Sequence, residues 1–160
     1  MPKPLLYLDN CCFNRPYDDQ SQIRITLETQ AKLFIQQKIK DREYALVWSF
    51  ILTAENDDNP FVDKKHEILK WAKIAQTVVI PEGSILQHAQ ELRQTLGIRG
   101  KDALHLACAV KAGCDYFLTT DHKLIKKTRN LGNLVVINPV HFVEFLEETD
   151  DGENGNPDTL

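Results

Sequence analysis

The sequence predicts an α/β fold: one domain, a central parallel sheet of about five strands, and helices on both faces. Three observations predict it. Five short apolar runs recur along the chain, at Leu5–Leu8, Tyr44–Trp48, Thr77–Ile80, Tyr116–Thr119 and Leu134–Ile137. They are rich in Val, Ile, Leu or aromatic residues and mostly lack polar alternation, as strands buried on both faces do. Helix-forming stretches separate them, and alternation of strand and helix yields a parallel sheet with covered faces.

In chain order, Leu5–Leu8 (LLYL) is the first strand and stops abruptly at an acid, Asp9. Ser21–Lys40 is a long helix, with Ile25, Ala31, Phe34, Ile35 and Ile39 near helical spacing. Tyr44–Trp48 is the second strand, and Phe50–Asn56 a short helix ahead of Pro60. Phe61–Ala75 is the next helix and Thr77–Ile80 the third strand. Gly83–Leu96 and Asp102–Ala112 are successive helices; the second (DALHLACAVKA) is apolar on most sides and therefore central. Tyr116–Thr119, His122–Asn130, Leu134–Ile137 and His141–Glu148 complete the series as strand, helix, strand, helix. The run Glu147–Leu160 (EETDDGENGNPDTL) is acidic, rich in Gly and Asn and poor in apolar residues. A folded domain over residues 1–148 and a disordered acidic tail over residues 149–160 are expected.

A chain of 160 residues, 42% hydrophobic and 26% charged, can bury a substantial core. Its net charge of -4 argues against a duplex binder sheathed in positive charge but permits a local basic patch. No apolar run reaches the ~18 residues of a membrane span, and Met-Pro-Lys-Pro is not a signal-peptide start, so a cytoplasmic location with no membrane contact is expected. Cys11, Cys12, Cys108 and Cys114 form no CxxC pair and read as small buried hydrophobes.

In an open α/β sheet, ligands bind beyond the carboxyl ends of the strands. Four acids fall at or near that edge. Asp9 ends the first strand, and Glu55 lies about two turns into the helix after the second. Asp102 opens the buried helix, and Asp121 follows the fourth strand in YFLTTD. Clustered carboxylates repel and raise one another's pKa, so such a cluster calls for cations. Hard divalent ions such as Mg²⁺ or Mn²⁺ take oxygen ligands and can activate water for phosphodiester cleavage. Each acid also has a plainer reading: Asp121 as a helix N-cap, Asp102 as a helix-start charge suited to the dipole, Glu55 as a solvated helix residue, Asp9 as an Asx-turn residue.

Three segments carry a resemblance: LLYLDNCCFNR, VWSFILTAEN and GKDALHLACAVKAGCDYFLTTD, the last being the most specific. Together they resemble the PIN domain, the fold of many metal-dependent ribonucleases, including the toxins of VapC-type toxin–antitoxin pairs. The resemblance covers roughly Pro4 to Phe145 and implies a single PIN-like domain. It implies Asp9, Glu55, Asp102 and Asp121 as the catalytic, Mg²⁺- or Mn²⁺-binding acids, with Glu55 a ligand or a group orienting the water. Thr119, or Thr120, takes the supporting hydroxyl position. It further implies an RNA substrate, an antitoxin partner and a homodimer. The position after Asp9 is Asn10, where many members carry a small hydroxyl residue, and the DNCCFNRPYDD segment is longer and more polar than a plain toxin opening.

Other polar residues are candidates for holding substrate. Asn14 and Arg15 suit a phosphate, or alternatively anchor the following helix. Lys123, Lys126, Lys127 and Arg129 could track an RNA backbone, or be a solvated helix face; Arg99 and Lys101 flank Asp102. Asp18, Asp19, Asp57 and Asp58 are rim acids or ordinary surface residues. Asp115 precedes its strand and should face the opposite edge. Among the histidines, His105 reads as a hydrogen-bonded core residue, and His122, beside Asp121, as the one worth testing. Two other functions remain open at this stage: a non-catalytic PIN-like module binding RNA or protein, and a phosphatase with Asp9 as nucleophile. The phosphatase pattern Asp-x-Asp is missing, because Cys11 stands at its third position.

Overall fold

Strand β1 (Leu5–Leu8) lies at the centre of a five-stranded, wholly parallel sheet in the computed structural model, which describes residues 3–154. Its neighbours are β2 (Ala45–Ser49) and β4 (Tyr116–Leu118), with β3 (Thr77–Val79) and β5 (Val135–Ile137) on the edges, giving the order β3-β2-β1-β4-β5. Tyr7 stands opposite Val47 on one side and Phe117 on the other. Leu6, Tyr7, Leu8, Leu46, Val47, Trp48, Phe117 and Leu118 are all fully buried. The central strands thus have apolar side chains on both faces, which is why they read as continuous apolar runs. On the edges Val78 and Val135 are half exposed.

All five strands predicted from sequence are present, and the helices between them are α2 (Ile23–Lys40), α3 (Phe50–Asp57), α4 (Val62–Ile74), α5 (Gly83–Leu96), α6 (Gly100–Lys111), α7 (His122–Lys127) and α8 (Pro139–Asn154). One element was not predicted. A single-turn helix, α1 (Asn10–Asn14), starts directly after Asp9 and runs into a 3₁₀ turn at Arg15–Tyr17. Cys12 and Phe13 anchor α1 in the core, where Phe13 meets Trp48 edge-on with ring centroids 5.3 Å apart. Five residues are too few for a helical period to register.

Helix ends differ from the expected ones for local reasons. Helix α7 stops at Lys127 rather than Asn130, where the Thr128 hydroxyl folds back to donate to the Leu124 carbonyl at 2.8 Å. Helix α8 opens at Pro139, two residues early, because the Asn138 Oδ1 accepts from the Val140 N–H at 2.9 Å and proline suits a first helical position. Where a disordered tail is expected from residue 149, α8 continues to Asn154. Elongation of a helix already seated on Phe142, Val143 and Leu146 needs only one hydrogen bond per residue. Residues 155–160 of that tail lie outside the described residues.

Two turns place the site. Helix α5 ends at Gly97 in the left-handed region (φ 64), a conformation glycine adopts without a Cβ penalty, and its N–H donates to the Arg93 carbonyl. Ile98, buried, pins the linker, so Arg99 and the start of α6 emerge at the carboxyl edge of the sheet. At the opposite edge the Asp115 carboxylate accepts from the Leu5 N–H at 2.8 Å, where the sequence puts it. Cys12, Cys108 and Cys114 are buried free thiols, and Cys11 is partly buried. Among the described residues no helix is long and apolar enough to cross a membrane.

Candidate active site

The strand order reverses between β1 and β4, and in such sheets the ligand crevice opens outside the carboxyl ends at that point. A hollow of about 440 Å³ lies there, lined by Asp9, Asn10, Cys11, Glu55, Arg99 to Asp102, His105, Thr120 and Asp121. The four acids singled out from the sequence meet in it.

Asp9 sits on the loop from β1 into α1. Its Oδ1 accepts from the Asn10 N–H at 2.8 Å, capping α1. Its Oδ2 accepts from the Thr119 hydroxyl, also at 2.8 Å. Thr119 is fully buried and accepts in turn from the Asp121 N–H at 3.2 Å. One hydroxyl therefore ties the residues after β1 to those after β4. The Thr119 hydroxyl is thus the one bonded to Asp9 and is turned away from solvent; Thr120 lines the hollow. Asp121 uses one oxygen to cap α7, accepting from the Lys123 and Leu124 N–H groups. Its plain helix-cap reading and its place in the hollow are both correct, because the second oxygen remains free of the cap.

Glu55 points from α3 toward α6, where His105 Nε2 donates to its Oε1. The sequence reading of His105 as a hydrogen-bonded core residue is right about its burial, yet this ring also lines the hollow. It stands 3.9 Å from Asp9 Oδ1. Its Nδ1 shares a 2.6 Å hydrogen bond with the Tyr7 hydroxyl, which lies 2.6 Å from the Ser49 hydroxyl. A buried polar chain from Ser49 to Glu55 fixes the carboxylate. The signal was legible: Asp102 and His105 are three residues apart on α6 and share a face. His122, in contrast, is exposed and lines no part of the hollow. Burial pushes the Glu55 carboxyl up, but the His105 hydrogen bond and charge, with Lys101 and Asn10, hold it below its ordinary value.

Asp102 behaves oppositely. Burial, then the charges of Asp9 and Asp121, push its carboxyl above the usual value, against the pull of Arg99. Arg99 spans two of the acids, its Nε 3.4 Å from Asp102 Oδ2 and an NH₂ group 3.6 Å from Asp121 Oδ2. Hard oxygen donors with an excess of negative charge suit Mg²⁺ or Mn²⁺. Among the described residues no three His, Cys, Asp or Glu side chains form a ready-made cage. Asp9, Glu55, Asp102 and Asp121 thus offer the oxygen donors such an ion takes, without closing round one as they stand.

A second hollow of about 780 Å³ adjoins the first, sharing Arg99, Gly100, Asp102 and Asp121, and carries Arg93, Arg99, Lys123 and Lys127. Lys123 is thus beside the acids, and Lys127 Nζ donates to the Gly97 carbonyl at 2.9 Å. Asn14 and Arg15 do not line the acidic hollow. The Arg15 guanidinium is held by Glu28 at 3.0 Å and Asp18 at 2.9 Å, so it anchors α2. Asn14 Nδ2 donates to the Asn10 carbonyl at 3.0 Å, closing α1.

No protein-family model and no curated protein matches the chain. Solved structures do share its fold. FitAcB from Neisseria gonorrhoeae matches with a TM-score of 0.54 at 20% identity, over 85% of this chain and 99% of that one. VapBC2 from Rickettsia felis, solved bound to a DNA fragment from their promoter, matches with a TM-score of 0.54 at 16% identity, over 84% and 98%. PAE2754 from Pyrobaculum aerophilum matches with a TM-score of 0.50 at 15% identity, over 88% and 86%. The PIN-type fold implied by the sequence segments is the fold of this chain.

Proposed function

We propose that the protein is a PIN-type endoribonuclease dependent on Mg²⁺ or Mn²⁺, working in the cytoplasm as the toxin of a toxin–antitoxin pair. The observation that carries this reading is the convergence of Asp9, Glu55, Asp102 and Asp121 in one hollow at the strand-order switch. Asp9, Asp102 and Asp121 would hold the metal, with Glu55 a further ligand or the group that orients the attacking water. A metal held there supplies a Lewis acid and an activated water for phosphodiester hydrolysis. The chain's own contribution is placement. Thr119 fixes the Asp9 rotamer, and His105 fixes Glu55. Arg93, Arg99, Lys123 and Lys127 offer phosphate contacts beside the acids.

RNA as substrate rests on the family resemblance. An antitoxin partner is supported by the likeness to FitAcB and VapBC2, and a homodimer by the resemblance alone. The test is cleavage of RNA by the purified chain with Mn²⁺, with Mg²⁺ and with chelator, alongside Asp9→Asn. Cleavage should require metal and be abolished in the variant while its circular dichroism is unchanged. Persistent cleavage by Asp9→Asn overturns the assignment. Absence of saturable Mn²⁺ binding by calorimetry would leave a non-catalytic PIN-like module.

A further inference from the structure

Opposite the basic trough, the acidic hollow opens into a third one of about 350 Å³. The two share Asn10 and Glu55. Its character differs from both neighbours. Tyr17 and Phe61 present their rings there, 41% and 58% exposed. The Lys64 ammonium lies 5.2 Å from the Tyr17 centroid and 4.2 Å from that of Phe61. The Asn59 side chain accepts from the Phe61 N–H at 3.1 Å and so orders the loop that carries the ring. Asp18 and Asp58 make this arm unfavourable for phosphates, while an uncharged aromatic ligand meets no such penalty.

Asn56 supplies an independent observation. It lines the same hollow, is 2% exposed, and its Oδ1 has no hydrogen-bond partner. Its Nδ2 donates to the Lys65 carbonyl at 2.9 Å. A carbonyl only accepts, so the amide cannot be flipped, and the orphan is an acceptor. A buried acceptor left unpaired is costly, and a ligand donor would satisfy it.

We infer that this arm is a nucleobase-binding site: Tyr17 and Phe61 stack a base of single-stranded RNA, and Asn56 Oδ1 accepts from an exocyclic amine. The inference rests on the proposed ribonuclease reading and deepens it. The strand then lays its backbone in the trough of Arg93, Lys123 and Lys127, passes the acids, and turns a base into the aromatic arm. Stacking is tolerant of base identity, whereas the orphan acceptor favours bases bearing an amine (adenine, cytosine, guanine) over uracil. A duplex cannot enter, because its bases are already paired and stacked.

The test uses the full chain in the Asp9→Asn background and fluorescence anisotropy at low salt. The probes are labelled 12-mers: oligoadenylate, an oligomer of purine riboside that stacks but lacks the amine, and a 12-base-pair RNA duplex. Tyr17→Ala/Phe61→Ala should weaken oligoadenylate binding by about tenfold or more and leave duplex binding unchanged. Purine riboside should bind the unmodified arm about fivefold more weakly than oligoadenylate. Phe61→Trp should restore single-strand affinity. Unchanged single-strand affinity in the double variant, or equal loss for duplex and single strand, overturns the inference, as does binding of a protein partner at the arm that leaves RNA binding intact. Wild-type cleavage of RNA with metal is assayed in parallel. Its absence defeats the ribonuclease reading, whereas its presence with an inert aromatic arm defeats this inference alone.

Discussion

Thr119→Val removes one hydroxyl and keeps the shape of the side chain. Thr119 is fully buried, so no water replaces what is lost. Its Oγ1 donates to Asp9 Oδ2 at 2.8 Å and accepts from the Asp121 N–H at 3.2 Å. A hydrogen bond to a charged acceptor contributes about 1.5–3 kcal/mol, and an amide left without a partner costs about 1–3 kcal/mol more when buried. Asp121 is only partly buried, so the expected total is about 3 kcal/mol. For a domain of this size that lowers the melting temperature by about 6–12 °C. The assay is thermal and guanidinium unfolding in chelator, which separates the loss from any effect of metal. Thr119→Ser retains the hydroxyl and should lose much less than Thr119→Val. In an Asp9→Asn background the bond becomes neutral, and the cost of Thr119→Val should fall by about 1–2 kcal/mol. Metal-dependent cleavage should drop about 10- to 100-fold as Asp9 gains rotamer freedom. A Thr119→Val protein that unfolds within about 0.5 kcal/mol of wild type, with full activity, would refute the reasoning.

Three further substitutions test other parts of the site and its support. Asp102→Asn should raise the melting temperature in chelator at neutral pH. The Asp102 carboxyl has a raised folded-state pKa, so its favourable contribution exists below the ordinary value of 3.8 and is lost as pH rises through the folded value; the gain from Asn should shrink on acidification. With Mn²⁺ present the order should reverse, because wild type alone keeps the anionic carboxylate there. His105→Leu strips Glu55 and Tyr7 of a partner and should lower kcat about 10- to 100-fold with little change in KM, whereas His105→Gln, still a donor, should recover part of it. Glu28→Ala takes from Arg15 one of its two carboxylate partners and from Asn138 its bond at 2.6 Å, and should cost about 3–5 kcal/mol in urea unfolding.

The sheet was legible because its strands are buried on both faces and turns interrupt each apolar run. Tyr7 shows where that legibility ends. In sequence it is one more apolar strand residue, yet its hydroxyl is a link in the chain from Ser49 to His105. Only the parallel pairing of β1 with β2 brings positions 42 residues apart within hydrogen-bond reach. Asp9 and Asp121 were legible from their places after strands, and Glu55 and Asp102 from theirs on the helices that face the same edge. His105 was read as a core residue because burial and function look like alternatives in a sequence. In the fold a half-apolar ring satisfies both, one edge packed and the other nitrogen on a carboxylate. Arg15 was open in the sequence between a phosphate ligand and an anchor for the following helix; its partner Glu28 lies 13 residues on, and the anchoring contact appears only when α2 folds back.

Arg99 links the site's electrostatics to its use. The chain is acidic overall, with a net charge of -4, and its hollow more so, yet the proposed ligand is a polyanion. The conflict is resolved by location. Arg99 touches both Asp102 and Asp121, so part of the repulsion that raises the Asp102 carboxyl is offset from within the fold. The same side chain is 80% exposed and forms a wall of the basic trough. An exposed ion pair of this kind contributes little, about 0–1 kcal/mol, and can be exchanged at small cost. A guanidinium released from the acids would be free for a phosphate arriving along the trough, where Arg93, Lys123 and Lys127 already stand. Gly97 and the buried Ile98 hold the segment before Arg99 in place. The hollow and the trough are thus two halves of one charge arrangement, joined at a residue that the sequence shows only as a neighbour of Asp102.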